Sequence, residues 1–364
     1  MLSGCYPLHA TMGHLDLMAR RQPVDVLVAD PATPETLKAR LARVAAMREF
    51  ASRELALPDN GSYRQYARLN GDYPVWSVWV TPEFDLAPRQ SCFPISGCVP
   101  YRGYYARDAA DQYAEPFRAA GDDVMVGGVT AYSTLGYFDD PLTSAMLRLP
   151  DDRLAGLIFH ELAHQVVYVK NDATFNESFA RAVEIEGTLR WLAQRQDAVG
   201  LAAYRAELVR ADAFFDSIKA TRAALAGLYA SSLDDEAKRR GKARIFETLR
   251  ETQRQRTLQN PAWSVYDPWF ADDLNNARLA AVATYFDEVE RFRDLLAKQG
   301  GDFGAFYAAV KSLAAARRGS PVSALDADQR LQLGHLAREP GAVGRLDHRA
   351  DVLVGARRLF RDAA

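Results

Sequence analysis

The chain has 364 residues, 48% of them hydrophobic and 25% charged, with a formal net charge of −2. This is the balance of an ordinary globular protein long enough to bury a substantial core. The near-neutral charge gives no electrostatic basis for binding nucleic acid, and no apolar run reaches the ~18 residues of a membrane-spanning helix.

In chain order, Leu2-Ser3-Gly4-Cys5 has the form of the tail of a bacterial lipoprotein signal, in which the Cys becomes the lipidated first residue. The charged and apolar regions that precede such a tail are missing, and a chance Cys near a terminus is the alternative. Residues 34–55 read as an amphipathic helix with Pro34 in its first turn. From Val75 to about Tyr105 the pattern is β, with Val-Trp-Ser-Val-Trp-Val alternating. Cys92 and Cys98 flank five residues within it. An oxidising periplasm would permit them a disulfide, and two free buried thiols are the other reading. A helix is expected at 108–120 and a strand at 123–135. Helices then follow at about 151–170, 174–196, 200–230, 234–256, 272–299 and 302–317. Strands segregated before helices predict an α+β fold: a small N-terminal mixed sheet and a predominantly helical C-terminal part.

The first of the later helices carries His160-Glu161-Leu162-Ala163-His164, an H-E-x-x-H motif. Residues four apart share a helix face, so both imidazoles can reach one zinc ion. Glu161 is displaced by about 100° around the helix, where it can serve as general base toward a water without being a ligand. Asp151 or Asp152 is expected to cap the helix. Catalytic zinc usually takes three protein ligands, and Glu177, at the start of the next helix, is the best third. Thr174-x-x-Glu177 is also a capping box, and Glu184 and Glu186 are rival ligands. Glu184, two turns beyond Glu177 on the same face, reads as a hydrogen-bond acceptor for the outer nitrogen of a ligand His.

His160–Gln165 (HELAHQ), Asn176–Ala180 (NESFA), Ala131–Gly136 and Asp140-Pro141 together resemble a bacterial family of zinc-dependent aminopeptidases predicted to be lipoproteins, itself similar to the glutamate-ligand zincins. The likeness runs over most of the chain, including Pro100–Gly103 and Asn275–Ala277. The gap from His164 to Glu177 is shorter than in thermolysin or the large aminopeptidases. The resemblance implies a zincin-like fold, peptide hydrolysis, and a cell-envelope location facing the periplasm, with membrane attachment only through a lipid on Cys5. The parts expected are an anchor segment over 1–25, a catalytic part over 26–199, a helical hairpin insert over 200–260, and a helical part over 261–364 completing the site.

A peptide carbonyl under attack needs a donor besides the metal. Tyr285 is the first candidate, followed by Tyr132, Tyr168 and Tyr266, each with a plainer role as a packing aromatic. Zincins pair substrate with a sheet edge, and the stretch from Asp123 to Gly136 has the composition for one. Gly128, Thr130 and Tyr132 are the contacts expected there. Asn275 and Asn276 are further substrate candidates or, equally, residues that cap or cross-link helices. His335 and His348 read as surface residues. A zinc endopeptidase and a non-hydrolytic zinc-binding lipoprotein scaffold are the alternative functions.

Overall fold

A computed structural model of the chain describes residues 5–93, 97–283 and 288–318. The N-terminal part contains α1 (Cys5–Ala19), β1 (Arg21–Pro23), α2 (Val24–Ala29), α3 (Glu35–Glu54) and β2 (Gln65–Ala67). It continues through β3 (Val75–Thr81), β4 (Ser91–Phe93), β5 (Gly97–Val99), β6 (Arg102–Tyr104), α4 (Arg107–Ala119), β7 (Asp123–Val129) and β8 (Leu142–Thr143). The rest is helical: α5 (Asp151–Val166), α6 (Ala173–Gln194), α7 (Ala198–Tyr229), α8 (Asp235–Gln259), α9 (Asp267–Ala271), α10 (Asn276–Ala283), α11 (Val289–Lys298) and α12 (Phe303–Arg318). All described strands precede α5, as the α+β expectation requires.

The strands form three small sheets rather than one. β6-β3-β7 is antiparallel, β1-β2-β8 is mixed, and β4-β5 is a hairpin. The alternation in β3 turns Val78 and Val80 toward Ala110 and Ala114 of α4, while Trp79 meets Ala277, Ala280 and Ala281 of α10. The three-stranded sheet is thus covered on both faces, and β7 is one of its edges.

Other boundaries differ from expectation for local reasons. The strand expected to 135 stops at Val129, whose partner Val75 is the first residue of β3; further on, Leu135 (φ 57°) and Gly136 (φ 83°) take the chain through a loop. The helix expected over 272–299 starts later, where Asn275 Oδ1 accepts the Arg278 N–H at 2.9 Å, and is divided into α10 and α11, the latter opening after Glu288. Three helices were not anticipated. α1 spreads its apolar residues around its circumference, and α2 and α9 are only six and five residues long.

One buried cluster runs from Val24 to Ala314 and includes Tyr204, Phe214, Phe246 and Leu249 of the α7–α8 hairpin. At its centre lie α5 and α6. Early α5 meets late α6, with Gly156 against Thr188 and Glu184, and Gly187 against Phe159. A Cβ on Gly187 would stand 2.7 Å from Leu55 Cδ1 and 2.8 Å from Phe159 Cδ2, and both neighbours are fully buried. Helix propensity favours replacing this glycine by about 1 kcal/mol, but overpacking a closed core costs about 1–3 kcal/mol, more for a branched side chain. Gly187→Val is therefore expected to lower the thermal unfolding midpoint; an unchanged midpoint would contradict close packing of these two helices.

Candidate metal centre

α5 opens after Pro150 with Asp151 and Asp152 in its first turn, where their charge complements the helix dipole. Neither caps the helix through its side chain. Asp151 instead pairs with Arg40 and Arg43. Apolar residues on all sides bury the helix, and His160 and His164 are 0% and 6% exposed. One turn apart, they bring their Nε2 atoms to 3.2 Å from each other.

Glu177 reaches the same point from α6. Its Oε2 is 3.3 Å from His160 Nε2 and its Oε1 is 3.6 Å from His164 Nε2. One donor atom from each of the three residues lies within 4.8 Å of the others. Two imidazole nitrogens and a carboxylate oxygen converging in this way suit a zinc ion. His160 Nδ1 lies 3.0 Å from Glu184 Oε2, so Glu184 orients the ring and turns Nε2 to the site. The capping-box alternative for Glu177 does not hold, because Asp172 is the cap of α6, accepting the Phe175 N–H at 3.0 Å. Glu186 pairs with Arg293 of α11 at 2.8 Å.

The turn between the helices brings these three side chains together. Val167 is extended after α5 ends. Buried Asn176 then clamps Val169 on both sides: its Nδ2 donates to Val169 O and its Oδ1 accepts the Val169 N–H, each at 2.7 Å. Arg317 of α12 donates to Asp172 Oδ2 at 2.7 Å. The Glu288 N–H donates to Ser178 Oγ, next to Glu177, at 3.3 Å.

Glu161 is 4% exposed and shares its surroundings with Asp140. Burial pushes the Asp140 carboxyl up to about 7; hydrogen bonds from the Thr134 N–H and hydroxyl oppose the shift, and the Glu161 charge adds to it. The loop carrying Asp140 lies along the end of α5, where Gln165 leaves a Cβ on Gly136 only 3.2 Å of room.

The tyrosine candidates separate. Tyr168 is half-buried with its ring 6.5 Å from that of His164, and burial and then the Glu177 charge raise its phenol pKa. The Tyr132 hydroxyl joins the Tyr105 hydroxyl (2.9 Å) and His14 Nδ1 (2.5 Å). Tyr266 is fully buried and stacked on Phe214. Tyr285, His335 and His348 lie outside the described residues.

The substrate expectations need correction. Gly128 is required by the Tyr73 ring, which fills the place of a Cβ, although its backbone still belongs to edge strand β7. Thr130 is 4% exposed, so its side chain is closed to a peptide. Tyr132 is tied to α1 through His14. Asn276 is fully buried, donating to Glu83 O (3.0 Å) and Asp85 O (3.1 Å) and accepting from Tyr229 (2.9 Å); it is the cross-link of the two readings. Cys92 and Cys98 form a disulfide, and Cys5 opens α1.

Sequence reasoning passed over Arg181, fully buried with Nη1 3.0 Å from the Glu184 oxygen that faces His160. Its signal was an Arg three residues before Glu184 and four after Glu177, on the polar face that both carboxylates share. The clamp by Asn176 was also missed; only its place beside Glu177 hinted at it.

A family model described as "Putative aminopeptidase" matches residues 5–324, and the chain belongs to that family. No curated protein and no solved structure matches it.

Asn176→Ala leaves the buried Val169 N–H and C=O without their amide partner. Each such loss costs about 1–3 kcal/mol, so the variant is expected to unfold at lower temperature and lower denaturant concentration. An unchanged midpoint would remove Asn176 from its role in setting the turn.

Proposed function

We propose that this chain is a zinc-dependent aminopeptidase of zincin-like fold, with His160, His164 and Glu177 holding the ion and Glu161 acting as general base. The convergence of two Nε2 atoms and a carboxylate on one point carries the assignment. Family membership supports peptide hydrolysis. Zinc bound there would supply Lewis acidity, lowering the pKa of water toward about 7 and polarising the scissile carbonyl.

The protein groups divide the remaining work. Glu161 takes the proton of the attacking water and later delivers it to the leaving amine. Glu184, paired with Arg181, keeps His160 in the orientation that presents Nε2. Negative charge developing on the carbonyl oxygen calls for a phenol donor. Tyr285 is the first assignment, and Tyr168, in the field of Glu177, is the described alternative; Tyr→Phe variants of both distinguish them. The edge of β7 beyond Val124, whose carbonyl accepts from Asn275 Nδ2 at 3.0 Å, offers backbone pairing to an extended peptide. We further propose a cell-envelope location facing the periplasm, with attachment through a lipid on Cys5. The Leu2-Ser3-Gly4-Cys5 sequence and the Cys92–Cys98 disulfide support it. No described helix is long and apolar enough to cross a membrane.

Glu161→Gln and Glu177→Gln test the roles together. The first is expected to keep its zinc and lose about 10²–10⁴ in turnover, the usual worth of general-base catalysis. The second replaces an anionic ligand with a neutral one and is expected to weaken zinc binding itself. Zinc content by elemental analysis and hydrolysis of peptides with free and blocked N-termini give the readout. Retained zinc and activity in Glu177→Gln, or equal hydrolysis of blocked peptides, would reject the ligand or the aminopeptidase assignment respectively.

Location has its own check. Cys5→Ser is expected to move the protein expressed from a complete reading frame out of the membrane fraction, since several acyl chains anchor firmly where one does not. A wild-type protein already in the soluble fraction would reject the anchor.

A further inference from the structure

β4 and β5 pair only with each other among the described residues, and an isolated two-stranded hairpin is at best marginally stable in water. Here the support is covalent: Cys92 and Cys98 lie directly opposite in the register and are bonded. The hairpin rests on the turn that joins the two ligand helices. The Cys98 N–H donates to Asn171 Oδ1 at 2.8 Å, and Gly97 sits so close to Asn171 and Lys170 that it has no room for a Cβ. Asn171 holds a left-handed backbone at φ 65°, which Asn tolerates better than most residues. Two residues earlier in the same turn, Asn176 clamps Val169. The turn between His164 and Glu177 is therefore gripped by the disulfide hairpin on one side and by α6 on the other.

We propose that Asn171 is a positioning residue through which the Cys92–Cys98 disulfide sets the approach of Glu177 to His160 and His164, so that metal affinity depends on the oxidation state of this cysteine pair. The proposal rests on the zinc site above. Closing the disulfide removes one proton and one electron from each thiol. Both electrons and both protons pass to a disulfide oxidant by thiol–disulfide exchange, leaving that oxidant as a dithiol. A chain kept reduced binds zinc weakly, and entry into an oxidising compartment completes the site.

The test is zinc affinity, measured by chelator competition on the full chain. The variants are Asn171→Gly, Asn171→Asp and Cys92→Ser/Cys98→Ser, alongside the oxidised wild type. Glycine keeps the left-handed backbone and removes only the acceptor; aspartate restores an acceptor oxygen. Asn171→Gly and the double serine variant are each expected to bind zinc about tenfold more weakly, the lower end of what loss of outer support costs a metal site. Asn171→Asp should match the wild type. Combining Asn171→Gly with the serine pair should add nothing further, since both break one path. Amide exchange at residue 98 should quicken in Asn171→Gly. If the serine pair fails to fold, Asn171→Gly decides alone. Wild-type affinity in Asn171→Gly, or fully additive losses, would overturn the proposal while leaving the zinc site intact; a wild type that binds no zinc would overturn both.

Discussion

Two helices must pass close enough for a carboxylate on one to meet two imidazoles on the other. The His160 and His164 Nε2 atoms are 3.2 Å apart on α5, and the Glu177 oxygens stand 3.3 and 3.6 Å from them on α6. Gly156 and Gly187 remove the side chains that would hold the helices apart. The Asn176 clamp and the Asp172 cap fix the turn between them. Much of the remaining fold braces this pair: α3 packs beneath α5, α11 and α12 grip the start of α6, and the disulfide hairpin rests on the turn.

Placing such a site in the core means burying charge, which is tolerated only where the charge is paired. Glu184 and Arg181 are both fully buried and face each other at 3.0 Å. Arg153 of α5 pairs with Glu207 of α7. Tyr204, also on α7, is held in the same surroundings, its phenol pushed up to about 12 by burial against the opposing pull of Arg181. α7, the first helix of the hairpin expected over 200–260, supplies partners to the polar groups around α5 and α6. Asp140 is a different solution: it satisfies its carboxylate with the Thr134 N–H and hydroxyl and so secures the loop beside Glu161.

The β-structure is small but well placed. α4 and α10 cover the faces of the three-stranded sheet, and Asn276 ties α10 to the loop after β3. Immediately beyond edge strand β7, Thr130 and Ala131 are buried, Ala131 within the cluster that contains α5.

Local sequence was enough for what depends on spacing along one element. The i, i+4 histidines, the Glu one residue on, the amphipathic α3 and the alternating β3 were all legible, because helix and strand periodicity set which residues share a face. Glu184 was legible too, two turns along α6 from Glu177. Tertiary structure alone decided everything that depends on two elements meeting. Glu177 meets the histidines because the clamped turn at Val169 folds α6 back along α5; Glu186, about half a turn out of phase with it on α6, pairs with Arg293 of α11. Gly128 serves Tyr73, and Asn276 binds backbone carbonyls, because distant segments fold over them. Arg181 is beside Glu184 by helix spacing, but its burial comes from the surrounding core. Periodicity specifies direction around an element's own axis; it carries no information on which neighbour will be packed there, and that neighbour determines whether a polar side chain is a ligand, a clamp or a surface group.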